Sequence, residues 1–163
     1  VFTTTVRENL RVARPDADDA ELDAALDRAG LAAWRAGLAD GLDTVLGSGG
    51  AGVSGGEHRR LLLARAFLVG AGVLLLDEPG EHLDPVTADD LLRDVLGAGL
   101  GAASGPAVVV VTHRLAPLAA ADEVVVLDAG RVAARGTHAW LLEHHEPYRD
   151  ALQAESGLVG ATP

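Results

Sequence analysis

The residues best suited to chemistry fall in three places along the chain. Asp77 and Glu78 follow the apolar run Val73-Leu74-Leu75-Leu76 and precede Pro79. Adjacent side chains on extended backbone point to opposite faces, so two neighbouring carboxylates suit different tasks. One can hold a divalent cation; the other can activate a water molecule. Ser54-Gly55-Gly56-Glu57 opens a strongly helical stretch. The glycine pair leaves backbone N–H groups uncovered by side chains, and a helix start with bare amides and a partial positive charge is an anion site. The Ser54 hydroxyl can add one more hydrogen bond. His113 is the third place, just past the run Ala107-Val108-Val109-Val110-Val111-Thr112. Plainer alternatives exist for each: two solvated acids at a strand end, an ordinary helix cap and a solvated histidine.

These groups need elements to position them. Val73 to Leu76 has the length and Val/Leu content of a short strand buried on both faces, which belongs to a parallel sheet covered by helices. Pro79 cannot donate to a sheet ladder, so the strand stops there. The two acids then stand at the carboxyl end of a buried strand, where open α/β sheets place their ligands. Ala107 to Val111 predicts a second buried strand. Between the two, Asp84 is placed as an N-cap with Pro85 at the first helical position. The helix that follows should turn Val86, Leu91, Leu92 and Val95 inward. Parallel strands joined by a helical crossover end on the same side, so His113 is expected to face Asp77 and Glu78.

The rest of the chain reads as follows. Thr5 with Glu8 and Asp18 with Glu21 fit capping boxes. They predict a helix from Val6 to about Val12 and a second one carrying Leu22, Ala25, Leu26 and Ala29 on one face, with Gly30 as its stop. Leu31 to Gly37, with Trp34, adds another turn or two of helix. Asp40-Gly41 reads as a turn. From Gly47 to Glu57 six of eleven residues are glycine, which alone would suit a flexible linker. The helix from His58 to Val69, with Leu61, Ala64, Arg65 and Leu68 at helical spacing and Ser54 and Glu57 as its capping box, argues against that. Glu123 to Leu127 and Arg131 to Ala134 flank Asp128-Ala129-Gly130 as a hairpin. Thr137 caps a helix with Trp140, Leu141 and Leu142. His138, His144 and His145 match no metal-ligand spacing and read as a solvated helix face. From about Ser156 the end reads as frayed.

Composition sets limits. The chain has 163 residues, 48% of them apolar, enough for one domain with a core. The net charge of −11 argues against a nucleic-acid partner. There is no Cys, hence no disulfide framework or thiolate metal site. The chain starts at Val1 and holds no Met, which points to a piece of a longer protein. All 13 basic residues are Arg. No secretory signal is visible. Val95 to Thr112 is long and uncharged enough to count as a possible membrane span, but Gly97, Gly99, Gly101, Gly105 and Pro106 break it. It reads instead as a helix end, a loop and a strand.

Val53-Ser54-Gly55-Gly56-Glu57, Asp77-Glu78-Pro79, His82-Leu83-Asp84 and His113, in that order, resemble the signature motif, Walker B, D-loop and switch histidine of an ABC transporter nucleotide-binding domain. Phe2 to Leu10 resembles the segment after the Q-loop in exporter-type members. The resemblance reaches to about Glu155. It implies a partial P-loop NTPase (ABC ATPase) α/β fold: a mostly parallel sheet flanked by helices plus a helical subdomain, without the N-terminal strands and P-loop. Residues 1–60 would form the helical subdomain ending in the signature motif, 61–155 the C-terminal part of the ATPase core and 156–163 a tail. It further implies ATP and Mg²⁺ as cofactors. Glu78 would polarise the attacking water and His113 would contact the γ-phosphate. Asp77 would hold Mg²⁺. Ser54, Gly55, Gly56 and Glu57 would meet ATP held by a second such domain, and Asp84 would couple the two sites. The implied partners are that second nucleotide-binding domain, as a homo- or heterodimer, and a membrane domain, at the cytoplasmic face of a bacterial inner membrane.

More narrowly, Glu81-His82-Leu83-Asp84 and Thr112-His113-Arg114-Leu115-Ala116 resemble subunits that export thiol reductants such as glutathione or cysteine and support cytochrome bd assembly. Glu57 stands for the usual Gln, Gly80 for a usual Thr or Ser, and Ser48 where exporters often carry a Glu. The phosphate-cradling motif needs a Lys, and this chain has none, so the chain alone is expected to be inactive. The alternatives are a soluble ABC-type ATPase and a catalytically silent interaction module.

Overall fold

The structure is a computed structural model that describes residues 1–47, 52–100 and 106–159. Residues 48–51 of the Gly-rich stretch, including Ser48, lie outside the described residues, as do residues 101–105 and, of the expected tail, residues 160–163. In chain order come α1 (Val6–Arg11), α2 (Asp19–Arg28), α3 (Ala32–Ala36), α4 (Gly55–Val69), β1 (Val73–Asp77), α5 (Pro85–Leu100), β2 (Ala107–Val111), β3 (Val124–Asp128), β4 (Arg131–Gly136), α6 (His138–His144) and α7 (Glu146–Val159). Short 3₁₀ turns fall at Gly41–Asp43 and Ala116–Ala120.

Local chemistry fixes most of the boundaries. Asp18 and Ser54 form full capping boxes with Glu21 and Glu57. Thr5 accepts the Glu8 N–H, so half of the expected box forms at α1. Gly70 takes a left-handed conformation at the end of α4, and Gly30 does so one residue past the Ala29 cap of α2. Ala129 and Gly130, with φ of 47° and 74°, make the two-residue β3–β4 turn, in which a positive φ at both positions matches the twist of the strands.

β1 and β2 pair in parallel, from Val73 opposite Ala107 to Asp77 opposite Val111. β3 and β4 form a separate antiparallel pair with a bulge at Val126/Leu127. α4 is central to the larger core. Its Leu61, Ala64, Phe67 and Leu68 pack with Leu22 and Leu26 of α2, Leu10 of α1, Leu74 of β1 and Leu91 and Val95 of α5. Each fully buried Leu contributes about 2 kcal/mol of transfer free energy. A second cluster, Leu96, Leu118, Val124, Leu141 and Tyr148, joins the end of α5 to the hairpin and the last two helices. Among the described residues no helix is long and apolar enough to cross a membrane.

Two expectations are corrected. The strands are not buried on both faces: Val73 and Leu75 are 60% and 68% exposed, Val109 and Val111 49% and 50%. Leu74, Leu76, Val108 and Val110 pack into the core. The helices therefore cover one face of the pair, and a continuous apolar run does not reveal that. Val86 is exposed rather than inward. Ala88 takes that place, in helical step with the buried Leu91, Leu92 and Val95.

Candidate functional site

The parallel register carries the first group. With Asp77 opposite Val111, the next residues along each strand meet, and the Glu78 N–H donates to Val111 O at 2.9 Å. Pro79 and Gly80 are buried beneath this turn. Glu78 has a φ of 42°, a strained value for a non-glycine residue of the kind that gathers at functional sites. Its Oε1 lies 2.9 Å from Nδ1 of His113, and its Oε2 accepts from the Thr112 hydroxyl at 3.4 Å. The carboxylate is partly shielded while the imidazole is open to solvent. Glu78 and His113 thus come together as expected, and Thr112 joins them. Asp77 is exposed and shares the uncovered sheet face with Val73 and Leu75.

The second group is the start of α4. Ser54 Oγ accepts from the Glu57 N–H at 3.2 Å, and Glu57 Oε2 accepts from the Ser54 N–H at 2.7 Å. Glu57 is therefore turned back onto the cap. Ser54 and Gly55 are exposed. They line an open cleft of about 720 Å³ together with Phe2, His58, Arg59 and His82. The glycines serve packing as well as access. A Cβ on Gly56 would lie 2.8 Å from Thr87 Cγ2, and one on Gly55 would touch Leu83 Cδ2 at 3.4 Å. Arg59 donates to Glu81 O at 3.2 Å. The helix start is thereby seated on the 81–87 segment. Among the described residues no hydrogen bond joins this group to Glu78 or His113.

Asp84 caps α5 by accepting from the Thr87 N–H at 3.0 Å. Hydrogen bonds from the Thr87 hydroxyl, then from its backbone, hold the carboxyl below the usual carboxylate range. Gly80 has a structural reason for replacing a larger residue: a Cβ there would lie 2.9 Å from Ala88 Cβ. Of the three histidines near the C-terminus, His138 contacts the Tyr148 hydroxyl at 2.8 Å and His144 accompanies Trp140 in a stacked pair.

Sequence reasoning missed the residues that brace these groups. Arg114 donates to Asp89 at 2.6 Å and to Pro85 O at 3.1 Å, tying the segment after His113 to the first turns of α5. Glu155 accepts from the Leu115 and Ala116 amides. Asn9 is 1% exposed and bonds to Phe2, Thr5 and Arg65. The position of Arg114 directly after the candidate histidine was an available signal; nothing local marked Asn9 or Glu155.

Comparison with known proteins places this geometry. The ABC transporter family matches residues 2–81. A solved bacterial Atm1-family ABC exporter with ATP bound superposes with a TM-score of 0.78 at 34% identity, over 95% of this chain and 27% of that one. The fold is that of part of an ABC ATPase. The chain is 39% identical over 157 residues to the glutathione/L-cysteine transport system ATP-binding/permease protein CydC of Bacillus subtilis (strain 168), covering 96% of this chain and 27% of that protein. It is 41% identical over 149 residues to the Escherichia coli (strain K12) protein of the same name, covering 91% and 25%. It is 38% identical to the mitochondrial potassium channel ATP-binding subunit of Xenopus tropicalis, covering 96% and 22%. This chain is homologous to the ATP-binding domain of ABC transporters, CydC-type glutathione/cysteine transport proteins among them. It spans about a quarter of the length of these relatives.

Proposed function

We propose that this chain is part of the ATP-hydrolysing domain of an ABC exporter, acting at the cytoplasmic face of a bacterial inner membrane with a membrane domain and a second ATP-binding domain. The observation that carries the reading is the Glu78–His113 contact at 2.9 Å across the ends of two parallel strands, in a chain homologous to ATP-binding domains. In this reading Glu78 orients the attacking water and takes up its proton, and His113 holds Glu78 in place and reaches the γ-phosphate. The exposed Ser54 hydroxyl and the amide of Gly55, with Gly56 behind them, suit a phosphate of ATP held by the partner domain. Asp84, at the turn between the two groups, would couple the sites.

The donor chemistry fits Mg²⁺. Among the described residues no cluster of three acidic or imidazole side chains could cage a cation. Mg²⁺ ordinarily binds through one or two carboxylates together with phosphate and water oxygens, and Asp77 offers such a carboxylate. When bound, the ion would offset phosphate charge.

The names of the relatives support a thiol reductant such as glutathione or cysteine as the exported substrate. The test is ATP-dependent uptake of labelled glutathione or cysteine into inverted membrane vesicles holding the transporter that carries this chain. Uptake abolished by Glu78→Gln is expected. ATP hydrolysis without uptake of either compound would overturn the substrate, and hydrolysis indifferent to Glu78 would overturn the site.

A further inference from the structure

The loop that follows His113 is held from the far end of the chain. The amides of Arg114, Leu115 and Ala116 point to side-chain acceptors: Arg114 N donates to Thr112 Oγ1 at 3.1 Å, and Leu115 N and Ala116 N donate to Glu155 Oε2 at 2.9 and 3.3 Å. Pro117, next in line, has no N–H to give. Two of these three donors therefore depend on one carboxylate about forty residues downstream. Glu155 lies on α7 in helical step with Tyr148, which is 4% exposed and packed with Leu118 and Leu141 in the second core cluster. The burial of Tyr148 turns the face that carries Glu155 toward the loop. The loop is also braced by the Arg114 fork on Asp89 and Pro85 O, by the Arg114 amide on Thr112 and by Leu115 against the second core cluster. The His113 side chain is 76% exposed, so its placement beside Glu78 depends on how firmly the loop is pinned.

We infer that Glu155 is a positioning residue: its carboxylate fixes the 114–116 turn and thereby holds the His113 imidazole against Glu78. The consequence for catalysis rests on the proposed roles of Glu78 and His113; the consequence for the placement of His113 does not. A carboxylate accepting two backbone N–H bonds makes strong charge-assisted contacts. Their loss frees a turn directly joined to a residue whose misplacement by about 1 Å can cost a hundredfold in rate.

The test compares Glu155→Ala with Glu155→Gln, which keeps an acceptor oxygen, in the transporter that carries this chain. The first readout is the order of the His113 side chain by NMR relaxation of its ring C–H. Glu155→Ala should make the ring mobile and Glu155→Gln should leave it ordered. An ordered ring in Glu155→Ala overturns the inference, whatever the ATPase does. The second readout is steady-state ATP hydrolysis. Glu155→Ala should lower kcat about tenfold with little change in KM, and Glu155→Gln should recover most of it. Equal loss in both variants, or a lowered melting temperature with kcat intact, shows a merely structural role and overturns the inference. Glu78→Gln run alongside separates the two layers. If that variant hydrolyses ATP normally, the catalytic reading fails, while the relaxation data still decide whether Glu155 places His113.

Discussion

His113 and Glu78, 35 residues apart in sequence, meet at 2.9 Å because β2 and β1 run in parallel and end level with each other. Gln at position 78 keeps the size of the side chain and a polar atom for His113 but removes the base. In the transporter carrying this chain, Glu78→Gln is expected to slow ATP turnover by about two to four orders of magnitude, the range for a lost acid–base group. Mg²⁺-dependent phosphate release by the purified protein checks this. Near-normal turnover in a folded Glu78→Gln protein would refute the role.

Gly56 predicts a packing cost distinct from any loss of ligand. An added Cβ would lie 2.8 Å from Thr87 Cγ2, so Gly56→Ala should destabilise the protein by about 1–3 kcal/mol, the usual cost of overpacking. Thr87→Ser removes the offending methyl and keeps the hydroxyl. The double variant should recover most of the loss, and the coupling energy can be read from a urea-unfolding cycle. Additive effects, with no recovery, would show that the contact is not what excludes a side chain at Gly56.

How much of this was legible from sequence follows the range of the interactions. Caps such as Ser54–Glu57 and Asp18–Glu21 lie within four residues and are legible in the sequence, as are the strand ends that bring Glu78 to His113. Whether Leu75 or Val109 is covered depends on which elements lie over the sheet, and an unbroken apolar run looks the same covered on one face or two. The apolar character of Val86 suggests an inward place, but the inward register belongs to Ala88. Nothing local in the sequence names the partners of Asn9, Arg114 and Glu155. Their roles come from partners 56, 25 and 40 residues away.

Asn9 supplies the clearest such case. It is buried, its amide donates to Phe2 O at 2.9 Å and Thr5 O at 3.0 Å, and its Oδ1 accepts from the Phe2 N–H at 2.8 Å and from Arg65 at 2.7 Å. Arg65 also donates to Asn9 O at 2.6 Å, which ties α4 to the N-terminal segment. Asn9→Ala would leave a guanidinium and backbone groups short of partners, and a buried unsatisfied group costs about 1–3 kcal/mol. A loss of about 2–3 kcal/mol on urea unfolding is expected. A change below about 0.5 kcal/mol, the level of a typical surface substitution, would show that the network is replaceable by water.

Tyr148 gives a prediction about pH. It is the chain's one tyrosine, it is 4% exposed, and its hydroxyl lies 2.8 Å from His138 Nδ1. Burial, and secondarily the negative charge of Glu155, push its pKa above the ordinary value. Both effects disfavour the phenolate in the folded state. The unfolded chain ionises first, near pH 10, so the stability Tyr148 lends is fully present below that pH and is lost as pH rises through the higher folded pKa. Phenolate absorbance should show a midpoint in the folded protein above that of the urea-unfolded chain. Glu155→Ala should bring the folded midpoint part of the way back, and Tyr148→Phe should weaken the alkaline loss of stability. A folded midpoint equal to the unfolded one would mean that Tyr148 is not buried as described, and it would also remove the anchor that aims Glu155 at the loop behind His113.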